Sequence, residues 1–439
     1  MSKPKRQPPQ DPPARQGPRP LALHLGIATL ACLSSPAGLA RLRSGSPDWS
    51  ESLTGRAAAL AESLKDTSPE AFGEAVAAAA QARLKRFLRA VDGYRHHPYR
   101  RPFADPPTAW QEGATRLLDY GRAPEAAAAS PASKARRANG TALLIAPSLV
   151  NRGYVLDLMP ERSLVRALAA QGFRPYLIEW GAPGEAEEAL DLDAYITGRL
   201  GRALDAVRAE TGTRPVLVGY CMGGLLALAL ALRRPDELAG LALLATPWDF
   251  HADGGAQSRM TARLIDPWFP VFDRLGSVPV DVLQMFFASL EPLLALRKFL
   301  AFSDYEPDSD KAAAFVALED WLNDGVALPV AVARECLLGW YGGNTTARGA
   351  WRIGGAPVRP EELTLPTLAV VPQHDRIVPP ASAGALAGAI AHASVLSPPA
   401  GHIGMVVGGR RRAHLWEPLA GWIDSLQSAV SREPRAETC

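Results

Sequence analysis

Residues 214–234 read RPVLVGYCMGGLLALALALRR, and the way this stretch divides decides the fold. Arg214 to Tyr220 (RPVLVGY) is apolar and β-rich, whereas Leu225 to Arg234 (LLALALALRR) is a strong helix former, so a strand passes through a turn into a helix. Gly219 and Gly223 stand two residues to either side of Cys221, giving a G-x-C-x-G pattern at that junction. This is a cysteine version of the nucleophile elbow, a sharp turn that lifts one reactive side chain above the end of a strand. Side chains at positions 219 and 223 would clash in so tight a turn.

Working outward, short apolar runs alternate with helical segments from Thr141 onward. Strands are expected at Ala142–Ala146, Arg174–Trp180, Pro215–Val218, Leu238–Ala245, Thr367–Val371 and Ala393–Leu396. Helices fall between most of them, as at Arg162–Gln171 and Leu192–Glu210. Near-continuous apolar strands separated by helices imply an α/β fold whose mostly parallel sheet is covered on both faces. The expected core therefore spans 141–246 and 367–430, and the segment between, 247–366, is helical in period. It carries Trp248, Trp268, Phe269, Phe272, Phe286, Phe287, Phe299, Phe302 and Trp321, which points to a cap inserted over the carboxyl edge of the sheet.

The N-terminal part is different in kind. Residues 1–20 hold seven prolines and five basic residues against one acidic one, too little apolar surface to offset chain entropy, and are expected as a disordered arm. Residues 21–140 are expected as a helical region with a linker. Its clearest helix lies within Trp49–Val91, and Gly121–Gly140 (GRAPEAAAASPASKARRANG) reads as a surface loop. Leu21–Leu33 (LALHLGIATLACL) imitates a secretory signal, but His24 in its first turn argues against a membrane span, and a helix packed on the main domain is expected instead. Residues 431–439 are expected as a disordered tail.

Bulk properties agree with a globular protein: 439 residues, 47% hydrophobic, with ample material for a core. Forty-seven Lys+Arg against 45 Asp+Glu leave a net charge of +2, which gives no case for nucleic acid as a partner. The basic spot Gly409–Arg412 reads as a solvated helix start. Cys32, Cys221, Cys336 and Cys439 form no C-x-x-C pair and no disulfide-like spacing, which fits a reducing compartment.

In open α/β sheets the reactive groups gather just beyond the carboxyl ends of the strands. Three residues stand there: Cys221, then Asp375 in V-P-Q-H-D-R-I-V-P-P, then His402 in P-P-A-G-H-I-G. Nucleophile, acid and histidine in that order are the arrangement of the α/β-hydrolase fold. A free thiol needs a base within hydrogen-bond reach, which His402 provides, and Asp375 would fix the imidazole's tautomer and stabilise its charged form. Cys221 opens a helix whose dipole favours a thiolate. The oxyanion would be held by backbone N–H groups of Met222 and, from the loop after the first core strand, Leu149. Plainer roles stand beside these: a buried apolar Cys221, an Asp375 that caps the helix starting near Ala381, and a core His402, with His374 the nearest rival histidine.

With those residues in view, the chain resembles the poly(3-hydroxyalkanoate) synthases, which carry a G-x-C-x-G-G elbow. Asn151–Leu158 (NRGYVLDL), Arg162–Arg166 (RSLVR), Glu179–Pro183 (EWGAP), Leu192–Ile196 (LDAYI), Thr246–Phe250 (TPWDF), His374–Pro380 and Gly401–Gly404 (GHIG) look like that family's segments in its order. The likeness spans about Thr141 to Ser428. It implies that Cys221, Asp375 and His402 carry acyl transfer from 3-hydroxyacyl coenzyme A thioesters to a growing polyester, with no bound cofactor and no metal. It also implies a cytoplasmic protein at the polyester granule surface, with a second copy of itself or a second synthase subunit as partner. One departure is Arg376, where the family usually has histidine directly after the aspartate. Two other functions fit the same residues: a hydrolase or thioesterase in which water accepts the acyl group, and a non-catalytic granule-binding scaffold.

Overall fold

The computed structural model describes residues 14–34, 38, 50–122 and 141–430. The expected tail, most of the expected arm and nearly all of the Gly121–Gly140 loop lie outside them. Two compact units result, one made of residues up to 100 together with 291–323, the other of 101–290 with 324 onward.

The first unit is helical. Leu21–Leu33, Glu51–Ser63, Pro69–His96, Leu294–Phe302 and Asp310–Asn323 are its α-helices. The longest starts where Ser68 accepts the Ala71 N–H (3.1 Å), with Pro69 at the first helical position and Glu70 in the first turn, and it ends on Arg95 and His96. Its buried stripe of Phe87, Ala90, Val91 and Tyr94 packs with Ala28, Leu296, Phe299, Phe302 and Val316. Phe299 meets both Phe87 and Tyr94 edge-on, with centroids 6.0 and 5.7 Å apart. Residues 14–20, part of the expected disordered arm, are ordered here. The Arg15 guanidinium is nearly buried and donates to Asp320 (2.6 Å) and to the carbonyls of His97 (2.6 Å) and Tyr99, a set of acceptors that sequence composition does not reveal. Leu21–Leu33 packs in this helical unit rather than on the sheet.

The second unit is built on an eight-stranded sheet. Its strands are β1 (Thr108–Glu112), β2 (Thr115–Asp119), β3 (Ala142–Ala146), β4 (Arg174–Glu179), β5 (Val216–Tyr220), β6 (Gly240–Leu244), β7 (Thr367–Val370) and β8 (Ser394–Leu396), ordered β1-β2-β4-β3-β5-β6-β7-β8. From β4 through β8 neighbouring strands run parallel, while β1, β2 and β4 pair antiparallel. Every residue of β3, β5, β6 and β7 is buried, as apolar strands covered on both faces must be. The six strands expected from the sequence are all present. The hairpin β1–β2 is additional: it lies within 21–140, where helix and linker were expected, because its short strands alternate too weakly to read, and it turns on Gly113 at φ 56°.

Two buried ionic groups brace the loops that follow β3. Asp157, fully buried, accepts from Ser163 (2.6 Å), Arg166 (2.7 and 3.1 Å), Arg101 (2.5 Å) and Tyr120 (2.9 Å). Glu179 at the end of β4 accepts the N–H groups of Gly153 (3.2 Å) and Gly181 (3.1 Å). These contacts hold the segments NRGYVLDL, RSLVR and EWGAP together, so their residues serve the scaffold. Gly409–Arg412 does open a helical segment, where Arg411 and Arg412 both lie over the Trp416 ring.

The expected insertion divides. Residues 247–290 and 324–366 belong with the sheet, whereas 291–323 belong with the N-terminal helices. The aromatic content of 291–323 is visible in the sequence. That Phe299 and Phe302 find their partners in Phe87 and Tyr94 rather than at the sheet is a matter of tertiary matching. Among the other aromatics, Trp248, Phe269 and Phe272 are core and Trp268 is exposed.

Candidate active site

Cys221 follows β5 directly and precedes the helix Met222–Arg233. Its backbone is at φ 55°, ψ −127°, a conformation that costs a side-chain-bearing residue on the order of 1–3 kcal/mol. Two hydrogen bonds hold it there: Cys221 N–H to Leu244 O (2.8 Å) and Gly224 N–H to Cys221 O (2.9 Å). Gly223 is required because a Cβ would lie 2.5 Å from the Pro147 carbonyl oxygen and closer still to that of Ala146. Gly219 is required because a Cβ there would strike Gly224. The turn is thus compressed between β3 and its own helix, and the cysteine is the residue pushed outward.

His402 and Asp375 meet. His402 Nδ1 lies 2.7 Å from Asp375 Oδ2, with both groups buried. The other carboxylate oxygen, Oδ1, accepts the N–H groups of Ile377 and Val378 (2.9 Å each). Capping the local turn and orienting the histidine are therefore both done by Asp375, on different oxygens. Burial works to lower the His402 pKa, but the charge of Cys221, the hydrogen bonds to Asp375 and Cys221, and the charge of Asp375 outweigh it and push it up to about 10. The imidazole thus joins the carboxylate on one side to the Cys221 sulfur on the other. Tyr220, absent from the sequence-based set, packs its ring on the imidazole with centroids 5.1 Å apart.

Met222, the first residue of the elbow helix, lines the same cavity as Cys221, and Leu149 lies between two further lining residues, Ser148 and Val150. Among the described residues neither the Met222 nor the Leu149 N–H donates to a backbone carbonyl of a turn or loop. His374 is exposed and outside this cluster, and Arg376, also exposed, lines an adjoining chamber.

A cavity lies over Cys221. The cap supplies most of its wall: Phe250, Leu283, Phe286, Phe287, Leu337 and Trp340, with the thiol of Cys336 and the phenol of Tyr341 among them. The neighbouring chamber, lined by Asp249, Asp253, Gln257, Ser258 and Arg376, shares Phe250, Phe286 and Tyr341 with it. Sequence reasoning missed Ser148, Cys336 and Tyr341. Ser148 stands in the loop after β3 beside Leu149, whereas Cys336 and Tyr341 are brought to the elbow only by the folding of the insertion. Burial pushes the Cys336 thiol well up, the nearby Glu335 charge adding to it, so this second sulfur stays protonated. No helix among the described residues is long and apolar enough to cross a membrane.

Residues 141–408 match the family model described as alpha/beta hydrolase fold. The chain is 32% identical over 286 residues to the poly(3-hydroxyalkanoate) polymerase subunit PhaC of Allochromatium vinosum, covering 64% of this chain and 80% of that one. It is 33% identical over 297 residues to the protein of the same name from Synechocystis sp., covering 65% and 78%. With the Haloferax mediterranei protein, again of that name, identity is 29% over 334 residues, covering 75% of this chain and 66% of the relative.

Proposed function

The chain belongs to the poly(3-hydroxyalkanoate) polymerases of the α/β-hydrolase fold, and from that premise we propose that it joins 3-hydroxyacyl groups, delivered as coenzyme A thioesters, into polyester through Cys221, His402 and Asp375. The observation that carries this reading is the sulfur on the strained elbow, beside an imidazole fixed by a buried carboxylate, lining an apolar cavity.

The cycle uses one proton. Cys221 attacks the thioester carbonyl carbon, and the oxygen takes up negative charge between the Met222 and Leu149 N–H groups. The carbon–sulfur bond to coenzyme A then breaks, and the leaving thiolate takes the proton from His402 and departs as the free thiol. A 3-hydroxyacyl hydroxyl next attacks the acyl-cysteine; His402, now neutral, takes that proton as the new carbon–oxygen bond forms. The electron pair of the broken carbon–sulfur bond returns to Cys221, restoring the starting pair. Exchange between two thioesters costs little, which explains sulfur in place of oxygen: the bound acyl group stays activated for an alcohol. Water must be excluded for the acyl-enzyme to survive, and the aromatic cap suits that need. The protonated Cys336 makes a poor second nucleophile, which leaves Cys221 to carry the acyl group in this cavity.

A second copy of this chain or a second synthase subunit is the proposed partner, and the polyester granule surface in the cytoplasm the proposed location. The purified protein given 3-hydroxybutyryl coenzyme A tests the reading. Free coenzyme A with insoluble polyester supports it. Free coenzyme A with only monomeric acid makes the protein a thioesterase, and loss of neither function in Cys221→Ser cells makes it a scaffold.

A further inference from the structure

Resting on the acyl-transfer reading, we propose that Tyr341 is the specificity-determining residue that recognises the 3-hydroxyl of the acyl group on Cys221, through a hydrogen bond from its phenol inside the cap cavity. Few side chains in the cavity wall can meet a hydroxyl. Around Cys221 the wall is otherwise carbon, apart from Ser148, Cys336 and the indole of Trp340. Ser148 Oγ accepts the Val150 N–H (3.2 Å), which ties it to its own loop while its O–H is left to donate, and the Trp340 N–H is enclosed by protein. Cys336 offers only a weak donor. The Tyr341 phenol differs from all three because its ring borders both the apolar cavity and the polar chamber beside it.

That ring is also held still. It packs against Phe250 with centroids 4.8 Å apart and edge-on against Phe286 at 5.0 Å, while its backbone carbonyl lies 2.8 Å from His251 Nε2. A rigid aromatic anchored on three sides presents its hydroxyl in a fixed place, which a specificity contact requires. Burial raises the phenol pKa well above its ordinary value, and the charge of Cys221 acts in the same direction. The group is therefore a permanent donor, within electrostatic reach of the reactive sulfur.

The substrate's chemistry supplies the other half. With the acyl carbonyl at the oxyanion donors, the chain extends into the apolar cavity and carries a hydroxyl two carbons away from the carbonyl. A hydroxyl brought out of water into such surroundings is penalised unless it finds a partner. A donor that stays protonated on a residue lining the cavity is that partner, and an acyl group lacking the hydroxyl would leave the phenol unpaired instead. Discrimination then follows from a lost hydrogen bond on either side.

The test is a cycle of two enzymes and two substrates. Cys221 acylation is timed by mass spectrometry with 3-hydroxybutyryl and butyryl coenzyme A, in wild type and Tyr341→Phe. The expected result is a wild-type rate ratio of about tenfold or more in favour of the hydroxyacyl substrate, falling to about one in the variant. Tyr341→His, which keeps a ring and a donor, is expected to recover part of the ratio, and a thermal melt establishes that each variant is folded. A ratio that survives in Tyr341→Phe, or a loss shared equally by the two substrates, overturns the assignment while leaving acyl transfer intact. Failure of wild type to be acylated by either substrate removes the acyl-transfer reading itself.

Discussion

Replacing Cys221 by alanine should change the charge of His402. The imidazole is buried, which alone would hold its pKa below 6.5, yet its surroundings push it up to about 10. At about 1.4 kcal/mol per tenfold, the difference is on the order of 5 kcal/mol in favour of the imidazolium. After burial, which opposes it, the charge of Cys221 is the largest contribution, and the sulfur adds a hydrogen bond. Alanine removes both and leaves Asp375 alone to offset burial. A hydrogen bond to a charged group is worth roughly 2 kcal/mol, so the titration should fall by at least about one and a half pH units. Because the folded-state pKa lies above the unfolded one, the stability it confers is complete below pH 6.5 and is lost as pH rises through about 10. Ring-proton titration by NMR reads the effect. A His402 that titrates near 6.5 in wild type, or identically in both proteins, refutes the reasoning.

Three other perturbations reach different parts of the account. Asp375→Asn keeps the shape but loses the charge 2.7 Å from Nδ1, and acylation should slow by roughly 10³–10⁴-fold with little change in KM, as measured by coenzyme A release. Gly223→Ala forces a methyl against the Ala146 and Pro147 carbonyls, neither of which is a flexible group; a drop of several degrees in Tm with loss of iodoacetamide labelling at Cys221 is expected. Lys298→Met in the helical unit strips the buried Glu319 of its ion pair (2.8 Å), and because burial already raises that carboxyl's pKa, a cost of about 3–5 kcal/mol should appear in denaturant melts. An unchanged midpoint would show that Glu319 is already neutral.

How much of this was legible beforehand follows from where each residue stands. β3, β5, β6 and β7 announce themselves because strands buried on both faces must be apolar throughout, and the elbow because only a glycine-flanked residue fits that turn. Asp375 and His402 could be found because each follows a strand. The hairpin β1–β2 could not, being short and set in proline-rich surroundings. Nor could the allegiance of residues 291–323, since Phe299 reads the same whether it packs on a sheet or on Phe87. Tyr341 and Cys336 reach the elbow through the path of the cap alone, which no spacing encodes.

The central claim is that the acyl group is carried by the Cys221 sulfur and passed to a hydroxyl. Rapid quenching of the wild-type protein with labelled 3-hydroxybutyryl coenzyme A, followed by peptide mapping, tests it most directly. The account predicts an acyl adduct on the peptide containing Cys221 that appears before polyester and lengthens by whole hydroxyacyl units. Label on any other residue, or coenzyme A released at the wild-type rate by Cys221→Ala, would contradict it.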